Sequence, residues 1–272
     1  MVRNRDNSSN NRKQEKIESP MPWKMDRWKY FNVTHKRHVV CNPMSVAKLD
    51  ELIELLALNP GSTVLDIACG LGEMLTKLAE RYGVSGVGVD LSPYCVADVK
   101  QKLQERVPDA QIEILNMDGA DYKPDQFFDL AMCIGASWVY QGHRGTLRAL
   151  KSMTKPGGLV LVGEPFWLRE PDEAYLAAEN HTRDMFGTHY ENVIVGEEED
   201  LVPLYTMVSN QDDWDRYEGL QWYSAAVYAK ENHDDPDILE ILARVAHGRT
   251  SYLRWGRDTL GWALYLFRKE GR

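Results

Sequence analysis

The run Thr63-Val64-Leu65-Asp66-Ile67-Ala68-Cys69-Gly70-Leu71-Gly72-Glu73 restricts the architectures open to this chain more than any other stretch. Thr63 to Ile67 is rich in branched side chains and reads as a short buried strand; a turn holding Gly70 and Gly72 then opens the helix-like run Glu73 to Arg81. Glycine lets backbone approach a ligand with no Cβ in the way, and such a turn presents free N–H groups at a helix start. Strand, glycine turn and helix in that order make a nucleotide-cofactor site. The acid then separates the cofactors. A dinucleotide fingerprint carries a third glycine, for close packing of helix on strand. Here Leu75 stands at that place, and Asp66 lies inside the motif, ahead of the glycines.

Three further signals follow in order. Asp90 ends the next strand, Gly86 to Asp90, where a carboxylate can accept two hydrogen bonds from a ribose diol. Asn116-Met117-Asp118-Gly119-Ala120 follows the strand Gln111 to Leu115, and Lys155-Pro156-Gly157-Gly158 precedes the apolar strand Leu159 to Val162. With the D-x-A-C-G-x-G pattern of Asp66 to Gly72, this set resembles the class I S-adenosylmethionine-dependent methyltransferases. Within that superfamily it is most similar to the small-molecule enzymes related to quinone C-methyltransferases and to cyclopropane-fatty-acid synthase-like proteins. Residues 42 to 164 carry the resemblance most strongly. It implies S-adenosylmethionine as cofactor, leaving as S-adenosylhomocysteine. It further implies that Asp66 serves the amino-acid end, that Ala68, Gly70 and Gly72 make room for ribose and methionine, and that Asp90 and Leu91 hold the ribose. Asp118 and Gly119 are expected at the adenine, with Cys133 and Gly135 completing the set at the end of the fourth strand.

Strands at 63 to 67, 86 to 90, 111 to 115, 127 to 133 and 159 to 163 alternate with helices at 73 to 81, 93 to 106 and 143 to 153. Alternation of this kind implies an α/β fold, a parallel sheet covered on both faces with ligands at the carboxyl ends of its strands. The resemblance implies a Rossmann-like, seven-stranded, mostly parallel sheet with an antiparallel last strand, flanked by helices, with helical insertions forming a lid. The sixth strand is expected at Leu204 to Val208 and the seventh at Gly261 to Phe267. A single domain over 20–272 then comprises a helical cover (20–58), a cofactor-binding core (60–164) and substrate-side insertions (165–202 and 210–256). The first insertion should hold one helix near Pro171 to Phe186; the second should hold helices over 211 to 231 and 236 to 255. Asn42 and Pro43 suggest the start of an amphipathic helix carrying Leu49, Leu52, Ile53 and Leu56. Residues 1–19 are too polar to offset the entropy of ordering and read as a disordered tail.

The formal charge of −9 opposes nonspecific binding to nucleic acid or anionic membrane and favours a small-molecule or protein substrate. No run approaches the roughly 18 apolar residues of a membrane span, which points to the cytosol. Cys41, Cys69, Cys95 and Cys133 are widely spaced with no C-x-x-C pair, so buried free thiols are expected and no metal site.

Methyl transfer from a sulfonium is an in-line displacement, in which a protein aligns the nucleophile and excludes water. Glu164, at the expected end of the fifth strand, is either an acceptor-side acid or a structural one. Tyr140 and His143 are further catalytic candidates, with a purely local helix-start role open for His143. Trp138, Trp167, Trp214, Tyr217 and Tyr30 are candidate walls of the substrate pocket. Nitrogen or oxygen acceptors are expected ahead of carbon. The competing readings are a noncatalytic cofactor-binding regulator, a protein or nucleic-acid methyltransferase, and a nicotinamide-dependent oxidoreductase. Leu75 and Asp66 speak against the last, and Gly135-Ala136-Ser137-Trp138 lacks the N/D-P-P-Y/F signature of amino-directed DNA and glutamine methyltransferases.

Overall fold

A computed structural model describes residues 22–271. The expected tail at residues 1–19 lies outside them. Two helices precede the sheet: α1 (Arg27–His35), capped by Asp26, and α2 (Val46–Leu56). The core runs β1 (Thr63–Ile67), α3 (Glu73–Tyr82), β2 (Ser85–Asp90), α4 (Pro93–Arg106), β3 (Ile112–Asn116), β4 (Phe128–Ile134), α5 (His143–Met153) and β5 (Thr154–Trp167). Then come α6 (Glu173–Glu179), α7 (His189–Glu198), β6 (Leu201–Val208), α8 (Gln211–Glu231), α9 (Ile238–Ser251) and β7 (Leu260–Lys269).

The seven strands stand in the order β3-β2-β1-β4-β5-β7-β6. All adjacent pairs are parallel except those of β7, which is antiparallel to both β5 and β6. The order reverses between β1 and β4, so a crevice opens above the carboxyl ends of these two strands. One face of the sheet is sealed by α2, α3 and α4 through Leu52, Leu75, Leu78 and Val99; the other meets α5 through Leu147 and Leu150. Each such side chain contributes roughly 1.5–3 kcal/mol by leaving water.

Several local expectations need correction. The helix read as starting at Asn42 and Pro43 begins at Val46, because the Ser45 side chain accepts from the Lys48 N–H and caps it there. Lys155 to Gly158 is a bulge inside β5 and not a turn ahead of it. Phe128 pairs with Thr154 and Leu130 with Leu159, and Gly157 takes φ +78° where the extra backbone loops out. At its other end β5 continues past Glu164 to Trp167, because β7 supplies an antiparallel partner all the way to Leu260. Glu164 is therefore a mid-strand residue. The single helix expected over Pro171 to Phe186 stops at Glu179, where Asn180 turns left-handed. An unanticipated α7 follows, fixed by a capping box in which Thr188 and Glu191 satisfy each other's backbone N–H. The last expected helix ends four residues early, in a π-helical turn at Tyr252–Gly256.

Among the described residues no helix is long and apolar enough to cross a membrane.

Candidate functional site

The glycine turn after β1 is held in an unusual shape by hydrogen bonds from neighbouring strands. Ala68 adopts φ +57°, costly for a residue with a Cβ, and Gly70 and Gly72 continue at φ +54° and +66°. The Cys69 N–H donates to the Val89 carbonyl and the Gly72 N–H to the Cys69 carbonyl, closing the turn. A Cβ on Gly72 would sit 2.6 Å from Val99 Cγ1, so α4 packs against bare backbone here. The turn is also pinned from outside. Lys102 of α4 donates to the Leu71 carbonyl and to Glu73, and Arg106 adds two hydrogen bonds to the same buried carboxylate. Those two cations hold Glu73 below the ordinary carboxylate range against its burial.

Asp90, at the end of β2, faces this turn. Its Oδ2 accepts from the Gly70 N–H and its Oδ1 from the Ser92 N–H, both at 2.8 Å. Each oxygen keeps a lone pair for a diol, and the carboxylate is fixed before a ligand arrives. Asn116 ties the tips of β2 and β3 together by donating to the Asp90 and Leu91 carbonyls. Asp66 is different. It is 3% exposed, no described protein group donates to it, and burial, then the nearby Asp90 charge, hold it well above the ordinary carboxylate range. A buried carboxylate without a donor is costly, and an ammonium group arriving from a ligand would remove that cost. Asp118 accepts from the Ala120 N–H with one oxygen, leaving the other open.

These groups border a cleft of about 600 Å³, a size typical of small-molecule sites. Its floor holds Ala68, Gly70, Asp90, Leu91, Asp118, Gly119 and Gly135. Asp66 and Gly72 border an adjoining hollow that shares Ala68, Gly70 and Cys41 with it. Cys133 does not reach the cleft: it is wholly buried in the core behind the wall, and burial pushes its thiol up. The donor set fits an adenosyl sulfonium carrying an amino acid. Asp90 suits its ribose, Asp66 its ammonium and Asp118 its adenine edge, while left-handed Gly70 leaves room at the centre.

The other half of the cleft is built by elements remote in sequence. α1 contributes Arg27, Trp28 and Phe31, α8 contributes Tyr217, and Trp138 stands 74% exposed at the opposite rim. α1 and α8 are joined by polar contacts at this point. Tyr217 Oη and His35 Nε2 are 2.9 Å apart, and His38 Nε2 lies 2.9 Å from the Tyr217 carbonyl. The His35 ring stacks on Phe31 at 3.9 Å between centroids. Its Nδ1 faces the Phe31 carbonyl at 3.2 Å. A carbonyl can only accept, so Nδ1 carries the hydrogen and Nε2 accepts from the Tyr217 hydroxyl. Burial first, and the neighbouring His38 next, push His35 down to about 3, so it is neutral at physiological pH.

Of the remaining candidates, Trp138 and Tyr217 border the cleft, while Tyr30, Trp167, Trp214, Tyr140 and His143 do not. Tyr30 packs in the cluster of Met25, Val33 and Ile241. Trp167 is buried with Tyr175 and Trp255 and donates its indole N–H to the Arg183 carbonyl. Trp214 packs beneath the helical cover against the main core. Tyr140 donates to the Gly119 carbonyl, steadying the turn after β3 from behind. The His143 Nε2 is engaged by the Asn192 carbonyl of α7, and burial pushes this ring down to about 4. Glu164 stands one residue behind the wall. Its Oε1 accepts from Ser137, next to the cleft residue Ala136, and its Oε2 is buried without a partner. Burial pushes it up to about 7. His35, Cys41 and Arg27 were not legible as site residues. The only hint was the aromatic spacing of Trp28 and Phe31, three apart on one helix.

Residues 64–158 match the family described as "Methyltransferase domain". The protein YjhP of Escherichia coli K12, described as uncharacterized, is 30% identical over 246 residues, covering 89% of this chain and 98% of YjhP. A crystal structure of a methyltransferase from Geobacter sulfurreducens with S-adenosylhomocysteine superposes with TM-score 0.82 at 29% identity, covering 92% of this chain and 98% of that one. A second such complex, from Thiobacillus denitrificans, gives TM-score 0.81 at 31% identity, covering 90% and 99%.

Proposed function

Because this chain belongs to the class I S-adenosylmethionine-dependent methyltransferases and takes its methyl group from that cofactor, we propose that its acceptor is a small molecule with a nitrogen or oxygen nucleophile. The observation that carries this reading is the roof. α1 and α8 close over the strand ends and narrow the space beyond Asp90 to a cleft walled by Trp28, Phe31, Trp138 and Tyr217. A folded protein or a duplex would need an open groove, and aromatic walls instead suit a compact partly apolar guest.

Asp66, Asp90 and Asp118 hold the cofactor in this reading, with Gly70, Gly72 and Gly135 keeping its path clear. The cofactor supplies an activated methyl on a positively charged sulfur. The protein aligns the acceptor and excludes water. The preference for nitrogen or oxygen follows from the walls. Their carboxylates, Asp90 and Asp118, stand at the cofactor end, and no histidine borders the cleft among the described residues. A nucleophile with its own lone pair needs no base to create one, whereas a carbon acid does. Glu164 acts here through Ser137 as a support of the wall.

Incubation with methyl-labelled S-adenosylmethionine and separate panels of amines, phenols, alcohols, carbon acids, proteins and RNA tests this. Label is expected in the amine, phenol or alcohol fraction. Label confined to macromolecules or to carbon would overturn the proposal, and cofactor binding with no transfer to any fraction would favour a regulatory protein.

A further inference from the structure

Tyr217 is the polar aromatic side chain on the acceptor half of the cleft, and its hydroxyl is already half committed. Because His35 is the Nδ1–H tautomer, its Nε2 takes the Tyr217 hydroxyl hydrogen at 2.9 Å. Thr34 Oγ1, at 3.1 Å from His35 Nδ1, adds a second acceptor for that ring hydrogen and reinforces the tautomer. No described protein group donates to Tyr217 Oη. The backbone of Tyr217 is held as well, since its carbonyl accepts from His38 Nε2. The phenol is thus held by His35 and the backbone behind it by His38, and the phenol oxygen has lone pairs to offer but no hydrogen.

Resting on the reading of a nitrogen or oxygen acceptor, we propose that Tyr217 is the acceptor-side recognition residue: it takes a hydrogen bond from the N–H or O–H of the methyl acceptor and so turns that atom's own lone pair toward the methyl group. His35 is the positioning residue that keeps the Tyr217 hydroxyl hydrogen out of the way. In the transfer, the acceptor lone pair forms the new bond to carbon and the electron pair of the broken carbon–sulfur bond stays on sulfur. The surplus proton on the methylated atom is the one hydrogen-bonded to Tyr217, and it passes to bulk water when the methylated product leaves the cleft. The arrangement selects against acceptors that have no hydrogen on the nucleophilic atom, which find no partner at this oxygen.

The test uses the full chain with S-adenosylhomocysteine and the amine and phenol panel. In the wild type, 15N spectra of labelled histidine should show His35 protonated on Nδ1, with an Nε2 signal that moves in Tyr217→Phe. The opposite tautomer, or an Nε2 signal indifferent to that substitution, overturns the assignment without any turnover. Tyr217→Phe should keep S-adenosylhomocysteine affinity within about twofold and lower kcat about tenfold or more, the loss of one oriented hydrogen bond. His35→Leu should lower kcat in the wild-type background and add nothing in Tyr217→Phe, since both act through one hydroxyl. Additive losses would reveal a merely structural histidine and overturn its role. Full activity of Tyr217→Phe on an amine that the wild type methylates overturns this proposal alone. A wild type that labels only carbon acids or macromolecules overturns the proposed function and this assignment together.

Discussion

Glu164→Gln gives the most direct measure of how the fold treats charge beside the cleft. The carboxyl is 2% exposed, one of its oxygens has only Ser137 as partner and the other has none. Burial raises it to about 7 from an ordinary 4.5. Between those two values the unfolded chain has released a proton that the folded chain retains, so folding stability falls as pH rises through the window and stays lower above it. At about 1.4 kcal/mol per pH unit, the loss reaches about 3 kcal/mol by pH 8. Glutamine is neutral at every pH and keeps an oxygen for Ser137, so this dependence should vanish. Its buried amide hydrogens shift the whole curve by an amount that does not vary with pH. Urea unfolding of both proteins at pH 5, 6, 7 and 8 measures the effect. The wild-type-minus-variant difference should move by about 2–3 kcal/mol in favour of the variant between the ends of the series. Other acids raised by burial, such as Glu218 at about 7, cancel in that difference. Parallel stability curves would refute the reasoning, because they would mean that Glu164 is solvated or already paired.

Asp66→Asn should leave the ligand-free protein as stable or more stable, since it replaces an acid whose charged form burial and Asp90 disfavour with a neutral amide, yet weaken S-adenosylhomocysteine binding by about 1.5–3 kcal/mol; calorimetric titration beside a thermal melt separates the two, and unchanged affinity removes Asp66 from the site. Asp90→Ala should cost about 2–3 kcal/mol of the same affinity by deleting a charged acceptor and freeing the Gly70 and Ser92 amides. A titration equal to wild type would count against it. Gly72→Ala should destabilise by about 1–3 kcal/mol, because φ is +66° and the new methyl falls 2.6 Å from Val99. Gly72→Ala should cost less in a Val99→Ala background than in the wild type, compared as a double-mutant cycle in chemical unfolding, and an equal cost in both would show that strain at φ dominates.

The floor of the cleft, where the cofactor is proposed to lie, was largely readable from local sequence. Asp66, Gly70 and Gly72 belong to one strand–turn–helix unit, Asp90 ends the next strand, and Asp118 lies two residues beyond the end of the strand after that. Their positions depend on hydrophobic alternation and turn chemistry over a few residues, both written in local sequence. The errors have a common cause as well. Glu164 was misplaced at a strand end because the partner that lengthens β5 is β7, about a hundred residues away. Trp167, Trp214 and Tyr30 have the composition of pocket walls, but aromatic character cannot say which cluster an aromatic joins. His143 opens α5, yet α7 engages its ring through the Asn192 carbonyl, away from the cleft.

The sequence by itself therefore determined the sheet, the crevice and the acids and glycines proposed to hold the cofactor there, since each of those follows from short-range pattern. Only the tertiary structure decided what faces the methyl group. Tyr217 and His35 are separated by 182 positions and meet because α1 and α8 pack over the strand ends. No periodicity or motif encodes that encounter, as it arises from the fit of two helical faces rather than from either one.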